Sequence, residues 1–430
     1  MVLTARSWGG AALRVVRAVV RPRPHPHLAP HRPHARPPGA LLALLLSATL
    51  AACGGGGSSA GEAPTQAQAL SARAQLGEKL FKDPSLSGSG RQACISCHVP
   101  ETGHAGALNG KPTEPGGTAL ELEGGRTAPS LRYLATNTPF GYDKEGTPTG
   151  GFFWDGRATS LMDQAGKPFF NPKEMANASV EELIGRVARA SYAAEFQKEF
   201  GADIFKKPAE ALQRVQLALQ AYQLEDIQFR PYSSKYDEFL RGRAALSDQE
   251  LRGLALFNAV DKGNCAACHP SAKGADGSFP LFTDFTYDAL GVPRNPALSQ
   301  NADPAFYDLG LCARDGGDLL ARQDLCGAFK VPSLRNVALR KAFFHNGRFS
   351  SLRDVVAFYV ERDVYPEKWY PRLSDGSVDK FNDLPPALRA NVNTTEGPYN
   401  RVPGQAPALN DREIDDVVAF LRTLSDGYAR

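Results

Sequence analysis

The sequence predicts a mainly α-helical body with long loops, built by internal duplication. Three observations point there. Apolar residues recur at helical spacing in several segments, alternating strand patterns are scarce, and two stretches repeat one order of short motifs. The 430 residues suffice for two or three domains, and an apolar fraction of 42% allows substantial cores. Net charge is +3, from 49 basic and 46 acidic residues, with no long basic run in the body, so nothing calls for nucleic acid.

Residues 1–52 read as a leader outside the fold. A stretch rich in Arg, Pro and His precedes an apolar run of 13 residues (40–52), too short to span a bilayer but right for a signal peptide. Leu50-Ala51-Ala52-Cys53, followed by GGGGSS, looks like a bacterial lipobox, in which Cys53 is acylated and becomes the N-terminus. The alternative is an ordinary signal peptide with a chance cysteine. Residues 53–69 then form a lipidated cysteine and flexible tether. The expected location is the periplasm, on a lipid anchor, and Gly54 rather than Asp after Cys53 suits the outer membrane.

Two domains are expected, over 70–240 and 241–430. The first opens with a helix near 70–82 that carries Leu76, Leu80 and Phe81 on one face. Residues 99–151, rich in Gly, Pro and Thr, read as loops. Ser179 and Glu182 form a capping box, and 208–229 reads as a longer amphipathic helix. Residues 230–245 read as a connection. Ser247 and Glu250 form a second capping box before Leu251, Leu254, Leu256 and Phe257. Asn410 or Asp411 caps a last helix with Ile414, Val417, Val418, Leu421 and Leu424, and Gly427 is its stop.

The duplication is explicit. LGEKLF (76–81) precedes CISCH (94–98), as RGLALF (252–257) precedes CAACH (265–269). APSLR (128–132) pairs with VPSLR (331–335), and FFWDGRATSL (152–161) with FFHNGRFSSL (343–352). C-x-x-C-H attaches haem c for a geometric reason: two cysteines three apart reach the two vinyl groups of one porphyrin, and the next histidine aims its imidazole at the iron. Cys94, Cys97 and His98 would serve one covalent haem, and Cys265, Cys268 and His269 another. A zinc knuckle or redox dithiol, the alternatives for a lone C-x-x-C, would not require the terminal His in both copies.

The remaining residues are read by elimination. Of seven cysteines, lipidation takes Cys53 and the motifs take four. Cys312 and Cys326 remain, an even pair in an oxidising compartment, for which a disulfide is expected over two free thiols. The methionines are Met1, Met162 and Met175, none in the second half, so the second haem has no local thioether ligand. Outside the leader and the two motifs only His104 and His345 remain, and His104 follows His98 too closely to reach the opposite haem face. The first haem is therefore expected to lack a strong distal ligand. An open iron binds small molecules, and hydrogen peroxide is the obvious candidate.

With these motifs in hand, the chain resembles the bacterial di-haem cytochrome c peroxidases, and among them the MauG-like branch. The resemblance runs from about residue 70 to the end, on CISCH, FFWDGRATSLMDQA, NPKEM, CAACH and FKVPSLRNVALRKAFFHNGRF. It implies two class-I cytochrome-c-like domains with haems facing a shared interface. Trp154 matches a relay tryptophan between the haems, against the reading of a core aromatic at an interface. Gln164 and Glu174, ten and twenty residues on, match distal residues that assist peroxide cleavage, Glu174 by shuttling a proton, against the reading of helix surface. Fourteen residues past His345, where peroxidases of the other branch carry Met, stands Tyr359, as in MauG-like enzymes. A tyrosinate is anionic and hard, so it lowers the potential. The alternative makes Tyr359 a packed aromatic, with His345 or nothing as ligand.

Two departures matter. The loop ALELEGGRTAP lacks the histidine that blocks the first haem in other members, so reductive unblocking should be unnecessary. The interdomain calcium site normally uses an Asn where this chain has Thr127, and its carbonyl positions correspond to Arg340 and Ala342, which speaks against calcium. The resemblance implies peroxide reduction at the His98 haem and transfer through Trp154 to the His269/Tyr359 haem. The equivalents would then be withdrawn from an exported protein. That protein is either a partner whose aromatic residues are oxidised or, as in a conventional cytochrome c peroxidase, a small cytochrome c or cupredoxin donor. A non-enzymatic di-haem electron carrier is the rival, and it predicts two low-spin haems.

Overall fold

The computed structural model describes residues 69–106 and 111–429; the leader, Cys53 and the tether as far as residue 68 lie outside them. The first half carries α1 (Ala72–Lys82), α2 (Cys94–Cys97), α3 (Leu161–Phe170), α4 (Val180–Val187), α5 (Ala193–Phe200), α6 (Pro208–Glu225) and α7 (Lys235–Leu240). The second carries α8 (Asp248–Asn258), α9 (Leu352–Glu361), α10 (Pro366–Trp369) and α11 (Asp411–Arg422). Strand structure among the described residues amounts to three antiparallel pairs of two residues per strand. None of these helices is long and apolar enough to cross a membrane.

Two large apolar clusters are buried, one from the first half and one from the second half together with Tyr236 of α7. Leu76, Leu80 and Phe81 of α1 pack with Leu183, Phe196, Val215 and Leu219. In the second half Phe257, Val356, Ile414, Val417, Phe420 and Leu421 form the corresponding core. The repeated LGEKLF and RGLALF segments meet their partners through a glycine. α1 lies on α6 and α8 on α11. A Cβ at Gly77 would stand 2.0 Å from the Ala218 carbonyl oxygen, and one at Gly253 2.0 Å from that of Asp416. Each glycine lets two helix backbones touch, and that close crossing braces the neighbouring haem-motif segment.

Local details depart from expectation for identifiable reasons. The Ser179 hydroxyl accepts from the Glu182 N–H, but the Glu182 carboxylate takes the N–H of Ala178 instead of closing the box on Ser179. The segment 208–229 breaks at Asp226, whose side chain caps a 3₁₀ turn over Ile227–Phe229. The 230–245 connection contains α7, opened by a capping box of Ser234 and Asp237. Leu251 faces solvent, because the crossing at Gly253 sets which face of α8 turns inward. The last helix ends at Arg422, short of Gly427, so that Asp426 can accept from Arg132, Tyr133 and Asn336. Cys312 and Cys326 are joined, with their Cα atoms 4.8 Å apart.

Gly77→Ala and Gly253→Ala should each destabilise the chain by about 1–3 kcal/mol through overpacking. The ~1 kcal/mol that alanine gains in helix propensity is outweighed, because the obstructing atom is backbone and cannot rotate away. Denaturant unfolding measures this, and a midpoint equal to that of the unaltered protein would contradict the backbone-contact reading.

Candidate active site

Each C-x-x-C-H segment borders a cavity. Cys94, Cys97 and His98 line the first; Cys265, Cys268 and His269 line the second; Trp154 and Gln164 line both. In each half the histidine ring is turned by one hydrogen bond. Nδ1 of His98 lies 3.0 Å from the His104 carbonyl oxygen, and Nδ1 of His269 lies 2.7 Å from that of Phe282. A carbonyl only accepts, so Nδ1 carries the proton and Nε2 keeps its lone pair, the tautomer a metal requires. Burial holds both rings neutral, His98 pushed down to about 4 and His269 in the same direction.

The accepting residues sit in left-handed backbone, His104 at φ 56° and Phe282 at φ 54°. A repeated clamp holds them there. The N–H groups of Leu131 and Leu334 donate to the same two carbonyls, at 3.1 and 3.3 Å. The hydroxyls of Ser130 and Ser333 donate to the preceding carbonyls, Gly103 at 2.7 Å and Leu281 at 2.6 Å. The next residues, Arg132 and Arg335, pair with Asp426 and Asp237. This is what the repeated PSLR segments do, a role that sequence reasoning did not assign although the repetition marked the place. The ring of His104 lines neither cavity. It packs on Phe229, centroids 4.7 Å apart, and its Nδ1 accepts from Arg132 Nε.

Burial pushes the thiols of Cys94, Cys97, Cys265 and Cys268 up to about 12, so they stay protonated. Two half-buried thiols and one neutral, oriented imidazole on a cavity wall, twice over, fit a pair of haem groups.

Part of the wall of the first cavity comes from α3 and the loop behind it, which supply Gln164, Pro168 and Glu174. Asn171 Nδ2 donates to Glu174 Oε1 at 2.8 Å. Burial raises the Glu174 carboxyl above its ordinary range, with Arg157 opposing. Met175 lines the same cavity, its side chain packed in the first core. Trp154 is buried, and its Nε1 donates to the Thr127 carbonyl at 2.8 Å, while the Thr127 N–H donates to the His345 carbonyl at 2.8 Å.

In the second cavity α9 presents Tyr359, its ring 5.8 Å from Phe344 and 5.9 Å from Tyr399. Burial, then Asp288, Cys268 and Cys265, push its phenol above the ordinary range, with Arg362 opposing. A bound cation would reverse that balance. His345 lines this cavity too. It stacks on Phe329 with centroids 3.5 Å apart, and its buried Nε2 has no hydrogen-bond partner among the described residues.

The residues compared with a calcium site do not fit one. The Arg340 guanidinium donates to Ala342 O at 3.2 Å, Ala128 O at 3.3 Å and Thr127 Oγ1 at 3.5 Å, so a cationic side chain already occupies that oxygen cluster. Among the described residues no cluster of three or more Asp, Glu, His or Cys side chains is placed to hold a bare metal ion.

Known proteins resemble this chain to different degrees. The family model for di-haem cytochrome c peroxidase matches residues 71–245. The methylamine utilization protein MauG of Paracoccus denitrificans is 34% identical over 381 residues, 85% of this chain and 92% of that protein. The cytochrome c551 peroxidase of Nitrosomonas europaea is 31% identical over 294 residues, 66% of this chain and 71% of that protein. The crystal structure of the diheme peroxidase BthA from Burkholderia thailandensis superposes with a TM-score of 0.77 at 40% identity, covering 85% of this chain and 89% of that one. The mainly helical architecture agrees with that fold. By descent and by architecture, the chain belongs to the di-haem cytochrome c peroxidase family, a family of haem oxidoreductases.

Proposed function

We propose that the chain reduces hydrogen peroxide at a haem c held by Cys94, Cys97 and His98, and shares the oxidising equivalents with a second haem c held by Cys265, Cys268, His269 and Tyr359. Each half would then be a cytochrome-c-like domain. One observation carries the reading. In the repeat, α3 and α9 start at matched residues, Leu161 and Leu352, and both line their own cavity seven residues later, with Pro168 in one and Tyr359 in the other. A phenol oxygen can ligate iron; a proline ring cannot. The same helix therefore closes one site and leaves its twin open. Tyr359 is favoured over His345 because it stands at the α9 position matched to Pro168, whereas the His345 ring is stacked on Phe329 with centroids 3.5 Å apart.

Haem bound in these cavities would supply the redox chemistry. The overall reaction takes two electrons and two protons per peroxide and releases two waters. Glu174, raised by its buried setting, accepts a proton at a carboxylate oxygen and returns it, and Gln164 offers an amide for orientation. Trp154 lines both cavities and provides the protein link between them. The electrons come from an exported protein. Tyr359 and the 34% identity to MauG favour a partner protein whose aromatic side chains are oxidised over a small cytochrome c or cupredoxin donor. The Cys53 anchor would hold the enzyme at a periplasmic membrane surface. The rival reading, an electron carrier without turnover, draws on Met175, a thioether on the wall of the first cavity.

Absorption and electron paramagnetic resonance of the ferric protein separate the two: one high-spin and one low-spin haem is expected, and two low-spin haems with slow peroxide reaction would establish the carrier. Tyr359→Met should raise the potential of the low-spin haem, by a fraction of the ~0.8 V that axial ligands span, as followed by spectroelectrochemistry. An unmoved potential removes Tyr359 as ligand. Glu174→Gln should slow the peroxide reaction by about 10²–10⁴. In the unaltered protein the basic form of Glu174 is lost as pH falls through its raised value, so the rate should drop there, above the ordinary 4.5. Stopped-flow pH profiles should show this acid limb, and its survival in Glu174→Gln would assign it elsewhere.

A further inference from the structure

We propose that Arg340 binds carboxylate groups of the cofactor between the two cavities, and that its guanidinium takes the place of a divalent cation there. The inference rests on the haem reading above, since haem brings two carboxylate side arms and peroxide brings no charge.

Five arginines line the two cavities: Arg126, Arg132, Arg157, Arg335 and Arg340. Four hold carboxylates of the chain. Arg126 pairs with Asp155 and Asp308, Arg132 with Asp426, Arg157 with Asp155, and Arg335 with Asp237. Arg340 pairs with none among the described residues. Its three acceptors are two carbonyls and a hydroxyl, which orient the guanidinium but leave its charge uncompensated. Burial is the sole influence on it and pushes it down to about 10, still charged at neutral pH.

A half-buried cation without an anion is disfavoured, and the four neighbouring guanidinium groups are each paired while this one is unmatched. The planar fork suits a carboxylate, which it can grip through two parallel hydrogen bonds. Position decides which carboxylate. Arg340 lines the second cavity, and its charge also reaches His98 in the first. Its acceptor Thr127 takes the Trp154 N–H on its carbonyl. The unmatched charge thus stands beside a residue that lines both cavities, where a cofactor anion would meet it.

The test uses the full holoprotein and its Arg340→Gln and Arg340→Lys variants. Pyridine haemochrome counts haem; fewer than two per chain in the unaltered protein would overturn the haem reading itself. With two haems present, elemental analysis should find no calcium, and EGTA should leave the thermal midpoint and the optical spectrum unchanged. Retained calcium or an EGTA-sensitive spectrum would overturn the proposal. Arg340→Gln removes a positive charge, so at least one haem potential should shift downward in spectroelectrochemistry. Potentials that stay put at both haems would defeat it. Should Arg340→Gln fail to accumulate, Arg340→Lys keeps the charge but loses the fork, and the haem carboxylate bending bands in resonance Raman should shift. Unshifted bands would count against it equally.

Discussion

Everything the two cavities can do depends on one hydrogen bond in each half, from a histidine Nδ1 to the carbonyl of a residue in left-handed backbone. Its net energy is modest, about 1 kcal/mol. Its importance is directional: it selects the tautomer and fixes the ring, so that one lone pair faces the cavity. Non-glycine residues in that conformation cost of order 1–3 kcal/mol, and they persist only where the surroundings over-determine them. Here the surroundings are the Leu N–H and Ser hydroxyl of each PSLR segment, anchored in turn by Arg132 and Arg335. Scaffold and site are coupled through four short segments.

That coupling explains what could be read from the sequence. The duplicated motifs announced the two halves, and helical periodicity placed α1, α8 and α11, because both signals are local. Hidden were contacts that join distant segments. The Ser333 hydroxyl reaches a carbonyl 52 residues away, and Arg340 reaches Ala128 across 212. The glycines of LGEKLF and RGLALF were visible as letters, but their purpose needs the facing carbonyls of Ala218 and Asp416. The early end of α11 has the same origin, since Asp426 is drawn to partners nearly 300 residues upstream. Residues 230–245 hid a helix of six residues, too short for periodicity to reveal.

The two halves share a scaffold and differ where chemistry is required. Trp154 and His345 occupy matched places in the repeat and are tied to the same residue, Thr127, one through its carbonyl and the other through its N–H. The first half places an indole on the wall common to both cavities; the second places an imidazole against Phe329. Pro168 and Tyr359 differ in the same manner. Neither exchange disturbs the clamps behind the histidines, so the proximal side can remain alike while the distal sides diverge.

Charge follows the same division. On the first side, Asp155 joins Arg126 and Arg157, Arg126 continues to Asp308 and Arg157 to Asp315, while burial raises the Glu174 carboxyl beside the cavity. On the second side, burial raises Asp288 to about 6 with Asn393 and Glu396 beside it, and its charge bears on Tyr359 against that of Arg362. The repeated fold thus supplies two like pockets, each with a carboxyl raised by burial on its wall, Glu174 in one and Asp288 in the other.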